Sequence, residues 1–312
     1  MKNMERRKFI QSASAATTVV LTSGLTAGCA QSMPAAPQSP SHAQASRFQQ
    51  QLRQLETNSG GRLGVSVLDT HSGLAYAYRG DERFPMCSTF KFLAAALVLV
   101  RVDQGQEQLS RRIAVQASDI VPYSPITQPR VGGVPMTVAE LCEAAVTVSD
   151  NAAANLLLKT FGGPQGLTAY ARSLGDEFTR LDRIEPDLNE ATPGDPRDTT
   201  TPDAMLKTIQ KIVLGPALSS ASREQITRWL IANKTGDKKL RAGLPAGWRA
   251  GDKTGSGGHG SNNDIAVLWP PGRGPMVVTC YLTHTSAELG VRDRAIEEVG
   301  RLVGRMVDGY AA

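Results

Sequence analysis

Hydrophobic positions along the chain change period twice. From Ala45 to Thr57 they recur at helical spacing, with Phe48, Leu52 and Leu55 as the apolar stripe, and the run stops at Asn58-Ser59-Gly60-Gly61. Leu63–Asp69 and Leu74–Arg79 alternate instead, joined by Thr70-His71-Ser72-Gly73, which predicts a β-hairpin. From Ser88 to about Ala232 the pattern is helical. Phe92 to Val100 is almost continuously apolar, as in a helix buried on all sides. Thr137-Val138-Ala139-Glu140 and Ser222-Arg223-Glu224-Gln225 have the spacing of capping boxes. Thr201-Pro202 predicts an N-cap with proline at the first helical position, leading Ala204–Leu214. Ala152–Phe161 is a further helix, closed by Gly162-Gly163. Strand-like runs return at Trp248–Lys253, Asp264–Trp269 and Met276–Leu282, and Arg292–Val307 reads as a closing amphipathic helix. Between Thr179 and Thr201 there is no period, only Pro, Asp, Gly and Arg in quantity. Irregular stretches of that length inside a compact domain are functional or disordered.

Strands at both ends with helices between them predict an α/β (α+β) fold. One lobe is expected from residues 47–85 and 233–310, with an inserted all-helical lobe, 86–232, that includes the 179–201 loop. Five strands in meander-like order imply an antiparallel sheet flanked by the terminal helices, with a site between the lobes.

With 312 residues, 41% hydrophobic and 20% charged, the chain can bury a substantial core. Its net charge of +5 is concentrated at one end. Lys2, Arg6, Arg7 and Lys8 against Glu5 place +3 in the first 28 residues and leave +2 for the rest. No basic cluster is interleaved with aromatics, so nucleic acid is not an expected partner. Arg6-Arg7-Lys8-Phe9-Ile10 and the modestly apolar run to Gly28 resemble a twin-arginine export signal, residues 1–28. Residues 29–46 read as a flexible tether. Leu25-Thr26-Ala27-Gly28-Cys29 resembles a lipoprotein box with Cys29 as the anchor, and plain cleavage, for example after Ala43, is the alternative. The expected location is therefore the periplasm, free or lipid-anchored. Cys29, Cys87, Cys142 and Cys280 include no C-x-x-C pair, and the four histidines are scattered, so neither a metal nor a cofactor is expected.

Four short motifs carry candidate chemistry. Ser88-Thr89-Phe90-Lys91 puts a hydroxyl and an amine one helical turn apart, at a helix start whose free N–H groups favour developing negative charge. A serine is a poor nucleophile unless a base takes its proton. Ser149-Asp150-Asn151 offers a second hydroxyl and an amide, although all three are also capping residues. Glu185-Pro186-Asp187-Leu188-Asn189 places a carboxylate and an amide where they could hold a water between them. Lys253-Thr254-Gly255-Ser256 runs from strand into glycines that let a backbone approach closely, and the Ser256 and Ser88 N–H groups could form an oxyanion hole. Arg183 and Asp198 flank the Glu185 segment and could pair to close it. Each motif alone has a bland reading as cap, turn or solvated loop.

Together, in the order S-x-x-K, S-D-N, E-x-x-x-N, K-T-G, they resemble a class A serine β-lactamase from about Arg47 to Met306. Cys87 directly before the serine and Ser256 after K-T-G are most similar to chromosomal and cefotaxime-hydrolysing members from Gram-negative bacteria. The resemblance implies a β-lactamase/transpeptidase-like fold and a monomer that acts on β-lactam small molecules. It also implies the roles. Ser88 would be the acylated nucleophile and Lys91 its base or relay, with Glu185, acting through water, the alternative group to activate Ser88. Ser149 would protonate the lactam nitrogen, with Lys253 tuning it, and Glu185 with Asn189 would position the deacylating water. Asn151 would bind the acylamide group, and Thr254, Ser256 and Lys253 the substrate carboxylate. Tyr123 would wall the entrance, and the Glu185–Pro186 bond could be cis. A penicillin-binding D,D-peptidase or a β-lactam receptor domain would share the serine, the lysine and K-T-G, but not Glu185 with Asn189.

The departures from the family pattern shape further expectations. Asn262 stands where many members carry an arginine that strengthens carboxylate binding, and Asp293 where cefotaxime-hydrolysing members often have one. Lys239, where other members place an arginine, is therefore expected to supply the cation. Gly257 stands where carbapenem-hydrolysing members carry the cysteine that bridges the Cys87 position, so strong carbapenemase activity is not expected. Ala95 stands where a partner for Cys142 would be.

Overall fold

The structure is a computed structural model that describes residues 41–308. The expected export signal, the Cys29 box and the tether up to residue 40 lie outside the described residues. The first helix, α1 (His42–Ser59), starts three residues before the predicted Ala45, so the end of the expected tether is helical. Ser41 explains this. Its Oγ accepts from the Gln44 N–H, and the Gln44 side chain accepts from the Ser41 N–H, a capping box that the apolar pattern does not reveal. Gly60, at φ +62°, ends the helix as expected.

The strands β1 (Arg62–Asp69), β2 (Ala75–Tyr78), β3 (Arg249–Ser256), β4 (Asn262–Trp269) and β5 (Met276–Thr283) form one antiparallel sheet in the order β2-β1-β5-β4-β3. Alternation then sorts the side chains. Val65, Val67, Val278, Cys280 and Leu268 pack with Phe48 and Leu52 of α1 and with Ile296, Val299 and Val303 of the closing helix. Their neighbours Leu68, Ile265, Val267, Val277 and Tyr281 face the other way and join the helical core.

That second core centres on α2 (Phe90–Asp103), which is buried nearly all round. Helices α3 (Val138–Thr147), α4 (Asn151–Thr160), α5 (Gly163–Ser173), α6 (Pro202–Ile209) and α7 (Ser220–Ile231) complete it, and α8 (Leu289–Asp308) closes the chain. Thr137 and Thr201 cap α3 and α6 as predicted. The predicted capping box at Ser222 is wrong. Ser219 is the cap, accepting from the Ser222 N–H, because both serine hydroxyls are drawn onto Asp103 at the end of α2, at 2.7 and 2.6 Å. After Ile209, residues Gln210–Leu214 wind into a wider π-helical turn instead of continuing α6.

The irregular 179–201 segment is fixed at its neck. Arg183 Nε donates to Asp198 Oδ2 at 2.6 Å, and Asp198 Oδ1 accepts from the N–H groups of Asp182 and Arg183 at 2.8 and 2.9 Å. Thr199–Thr200 pairs with Phe84–Pro85, which joins the end of the loop to the residues just before Ser88. The segment contains one 3₁₀ turn, Asp187–Asn189, and the Glu185–Pro186 bond is cis.

Candidate active site

Four pieces of backbone meet where the end of β3 approaches the start of α2. Ser88 lies in a 3₁₀ turn, Cys87–Thr89, that leads into α2. Glycines allow the approach. A Cβ on Gly255 would stand 2.7 Å from the Met86 carbonyl oxygen and 3.2 Å from the Ser88 nitrogen. One on Gly257 would stand 2.6 Å from Cys87 Sγ and 2.7 Å from the Asn189 carbonyl oxygen. Asn263 locks the arrangement by donating to the carbonyls of Pro85 and Met86 at 2.9 and 3.1 Å. Cys87, Tyr123 and Ser149 all hold positive φ, at 46°, 63° and 63°, so non-glycine residues in an unfavourable conformation concentrate around this junction. Cys87 is a free, buried thiol, pushed up to about 12 by burial first and then by the Glu185 charge.

Ser88, Tyr123, Ser149, Asn151, Asn189, Lys239, Thr254 and Ser256 line one cleft of about 400 Å³, together with Thr235, Gly255, Leu289 and Asp293. Lys91, Glu185 and Lys253 are fully buried beside it. Ser88 Oγ donates to Glu185 Oε1 at 3.3 Å, and Lys91 Nζ reaches the same oxygen at 2.9 Å. Helical spacing suggested a direct Ser88–Lys91 contact. Instead the two meet through Glu185, and the Lys91 ammonium also donates to the Ser149 carbonyl at 2.8 Å and to Asn151 Oδ1 at 2.5 Å. Burial pushes Lys91 below the ordinary lysine range despite Glu185.

Ser149 Oγ accepts from two ammoniums, Lys91 at 3.3 Å and Lys253 at 3.1 Å. A hydroxyl has two acceptor lone pairs and one proton. With both lone pairs engaged, the Ser149 proton is free to be donated into the cleft. Lys253 is held well below the ordinary lysine range by burial first and then by the charges of Lys91 and Lys239. Asn189 Nδ2 donates to Glu185 Oε2, while Asn189 Oδ1 is buried with no partner among the described residues. The Glu185–Asn189 pair therefore has a spare acceptor and a carboxylate side by side. Lys239 does line the cleft, but it is buried and its ammonium donates to the Asn263 carbonyl at 3.2 Å. Tyr123 is 60% exposed at the mouth, and its carbonyl accepts from the Asn151 N–H at 3.0 Å.

Two supporting residues, Asn155 and Thr235, were not anticipated, and Asp150, which caps α4 as its motif suggested, does more than cap. Asn155 accepts from the Glu185 N–H and donates to the Glu185 carbonyl, both at 2.9 Å, and so clamps the backbone that carries the carboxylate. Its spacing of four from Asn151 on α4 places both amides on one helix face, which is the signal that could have found it. Asp150 is fully buried and accepts four hydrogen bonds, from Ala153 N, Ile126 N and both donors of Thr127, fixing the loop that presents Tyr123. Thr235 shares a hydrogen bond with Thr254 across their hydroxyls at 2.5 Å, and no local pattern marks it.

The arrangement joins a serine hydroxyl to a buried base, a second proton donor and an acceptor-rich pocket, as acyl transfer to water requires. Comparison with known proteins agrees. Residues 47–307 match the model of the β-lactamase enzyme family. The chain is 48% identical over 271 residues to β-lactamase CTX-M-8 of Citrobacter amalonaticus, covering 87% of this chain and 92% of that one. It is 45% identical over 306 residues to β-lactamase L2 of Stenotrophomonas maltophilia, covering 97% and 99%. Among solved structures, an ancestral class A β-lactamase shares 66% identity at a TM-score of 0.82, over 83% of this chain and 99% of that one. A putative class A β-lactamase from Rhodopseudomonas palustris shares 58% at 0.81, over 83% and 99%.

Removing the Asn155 clamp tests how firmly the site holds Glu185. Asn155→Ala leaves a buried backbone N–H and carbonyl unpaired and is expected to cost about 2–4 kcal/mol in urea unfolding. A loss under about 1 kcal/mol would mean that Glu185 is positioned by other contacts.

Proposed function

The chain belongs to the β-lactamase enzyme family, as a class A serine enzyme that hydrolyses the β-lactam ring and so confers resistance, and from that premise we propose how its own residues divide the reaction. Ser88 Oγ attacks the lactam carbonyl carbon. Its proton passes to Glu185, with which it already shares a hydrogen bond, and Lys91 stabilises the charge that forms. The N–H groups of Ser88 and Ser256 receive the oxyanion. As the C–N bond breaks, the Ser149 hydroxyl gives its proton to the lactam nitrogen and regains one from Lys91, which recovers it from Glu185, so that Glu185 is a carboxylate again. Thr254, Ser256 and Lys253 hold the substrate carboxylate, with Lys239 adding charge from beneath. Asn151 takes the acylamide group and Tyr123 walls the entrance.

A water held by Glu185 and Asn189 then attacks the ester. Glu185 takes its proton, and Ser88 leaves with a proton restored. The observation that carries this reading is the buried Glu185 carboxylate shared by Ser88, Lys91 and Asn189. A D,D-peptidase or a β-lactam receptor would not need it. Gly257 sits against Cys87 Sγ, so a cysteine bridge there is replaced by a bare backbone. The proposal extends to the rest of the chain: residues 1–28 direct export to the periplasm, followed either by a lipid on Cys29 or by plain cleavage beyond it, and a monomer acts through a cleft between an α/β lobe and a helical lobe. Among the described residues no helix is long and apolar enough to cross a membrane.

A chromogenic cephalosporin distinguishes turnover from acylation alone. Many product equivalents per enzyme are expected, and a single stoichiometric burst would mean that the ester on Ser88 is a dead end. The pH profile tests Lys253. Its cationic form is lost as pH rises through a folded-state pKa that burial and neighbouring cations have lowered. The alkaline limb of kcat/KM is therefore expected to lie below the ordinary lysine value of 10.5 and to move upward in Lys253→Arg. A limb that stays in place in Lys253→Arg would show that the charge of Lys253 is not what the substrate needs.

A further inference from the structure

The cleft runs at one end into a second depression, and Leu289 and Asp293 line both. Asp293, at the start of α8, is held in place by the sheet. Ser256 is paired with Asn262 across β3 and β4, and Ser256 Oγ donates to Asn262 Oδ1 at 3.4 Å. The Asn262 amide, oriented in this way, donates through Nδ2 to Asp293 Oδ1 at 2.9 Å. Asp293 makes no ion pair among the described residues. The half-buried carboxylate at this end of the cleft is thus fixed in direction and touches no cation among the described residues, although it lies close enough to Lys239 to favour the charged form of that ammonium.

The second depression, of about 640 Å³, continues the cleft outward. Lys238, Arg294 and Arg301 line that outer part, but all three are exposed and screened by solvent. Lys239 is the nearer cation. It is buried, and its ammonium is turned to the Asn263 carbonyl.

Substrate chemistry gives this end a ligand. In a bicyclic β-lactam the carboxylate is borne by the ring carbon attached to the lactam nitrogen. In the six-membered series the next ring carbon carries the variable substituent. A carboxylate held on Thr254 and Ser256 would put the neighbouring substituent beside the part of the lining that Ser256, Asn262 and Asp293 connect. We infer that Asp293 makes this enzyme prefer β-lactams whose substituent beside the carboxylate is cationic, a quaternary ammonium or pyridinium group, over those in which it is neutral. Leu289, 51% exposed, offers an apolar surface to the group that bears the charge. The inference rests on the Ser88 reading and on the substrate orientation given above.

Two cephalosporins with the same acylamide group test it, one with a neutral acetoxymethyl substituent and one with a pyridiniomethyl substituent. The readout is the ratio of their kcat/KM values, which cancels general damage to the site. In Asp293→Asn the cationic-to-neutral ratio is expected to fall about three- to fivefold, the size of a partly exposed ion pair, and Asp293→Glu is expected to restore most of it. In the unaltered enzyme the same ratio should shrink as salt rises from about 20 mM to about 0.5 M. A ratio unchanged by both Asp293→Asn and salt overturns the inference. Failure of the underlying reading looks different: neither cephalosporin would acylate Ser88 in the unaltered enzyme, and the inference would fall with it.

Discussion

A buried ion pair sets the terms for the rest of this structure. Lys91 and Glu185, both with fully inaccessible side chains, meet at 2.9 Å. Taking two charges out of water costs several kcal/mol each unless attraction and further hydrogen bonds offset it. The offset is visible in the partners. Lys91 also donates to Ser149 and Asn151, and Glu185 accepts from Ser88 and Asn189. Every one of those partners lines the cleft. The groups that make the buried pair tolerable are the groups that meet the substrate, so stability of the pair and readiness for chemistry are the same arrangement.

The scaffold follows from that requirement. α2 can hold Lys91 without water because the helix around it is apolar on nearly every side. Glu185 arrives on an irregular loop, so its backbone needs outside support: Asn155 clamps it directly, and Arg183 with Asp198 closes the neck. On the far side, Lys253 and Lys239 bring more positive charge close to Lys91, and burial and mutual repulsion weaken the protonated form of Lys253. An anionic substrate relieves that repulsion when it binds. Asp293, which also lines the cleft, carries the opposite charge.

The parts legible in the sequence are those written locally. Ser88-x-x-Lys91, Lys253-Thr254-Gly255 and the Glu185–Asn189 spacing are short patterns whose members stay together in space, and the five strands announce themselves by alternation. What stayed hidden depends on packing between distant segments. Thr235 meets Thr254, and Asp150 meets Thr127, through tertiary contacts that no period encodes. The Ser222 capping box had the right letters but lost to Ser219, because Asp103, over a hundred residues earlier, engages both hydroxyls. Lys239 was expected as a cation for the cleft. That its ammonium is buried against the Asn263 carbonyl could not be read from its position in the chain.

The Glu185 carboxylate is what turns the ester on Ser88 from an end point into an intermediate. Intact-mass measurement of Glu185→Gln after mixing with a penicillin tests this most directly. Glutamine keeps the shape of the side chain and removes its ability to take a proton from water. Acylation is expected to slow, with Lys91 left to take the Ser88 proton, and to be followed by a persistent adduct of one substrate mass, mapped to Ser88, whose loss is slowed by roughly 10²–10⁴-fold relative to the unaltered enzyme. An adduct that clears as fast as in the unaltered enzyme, or one mapped to another residue, would contradict that role for Glu185.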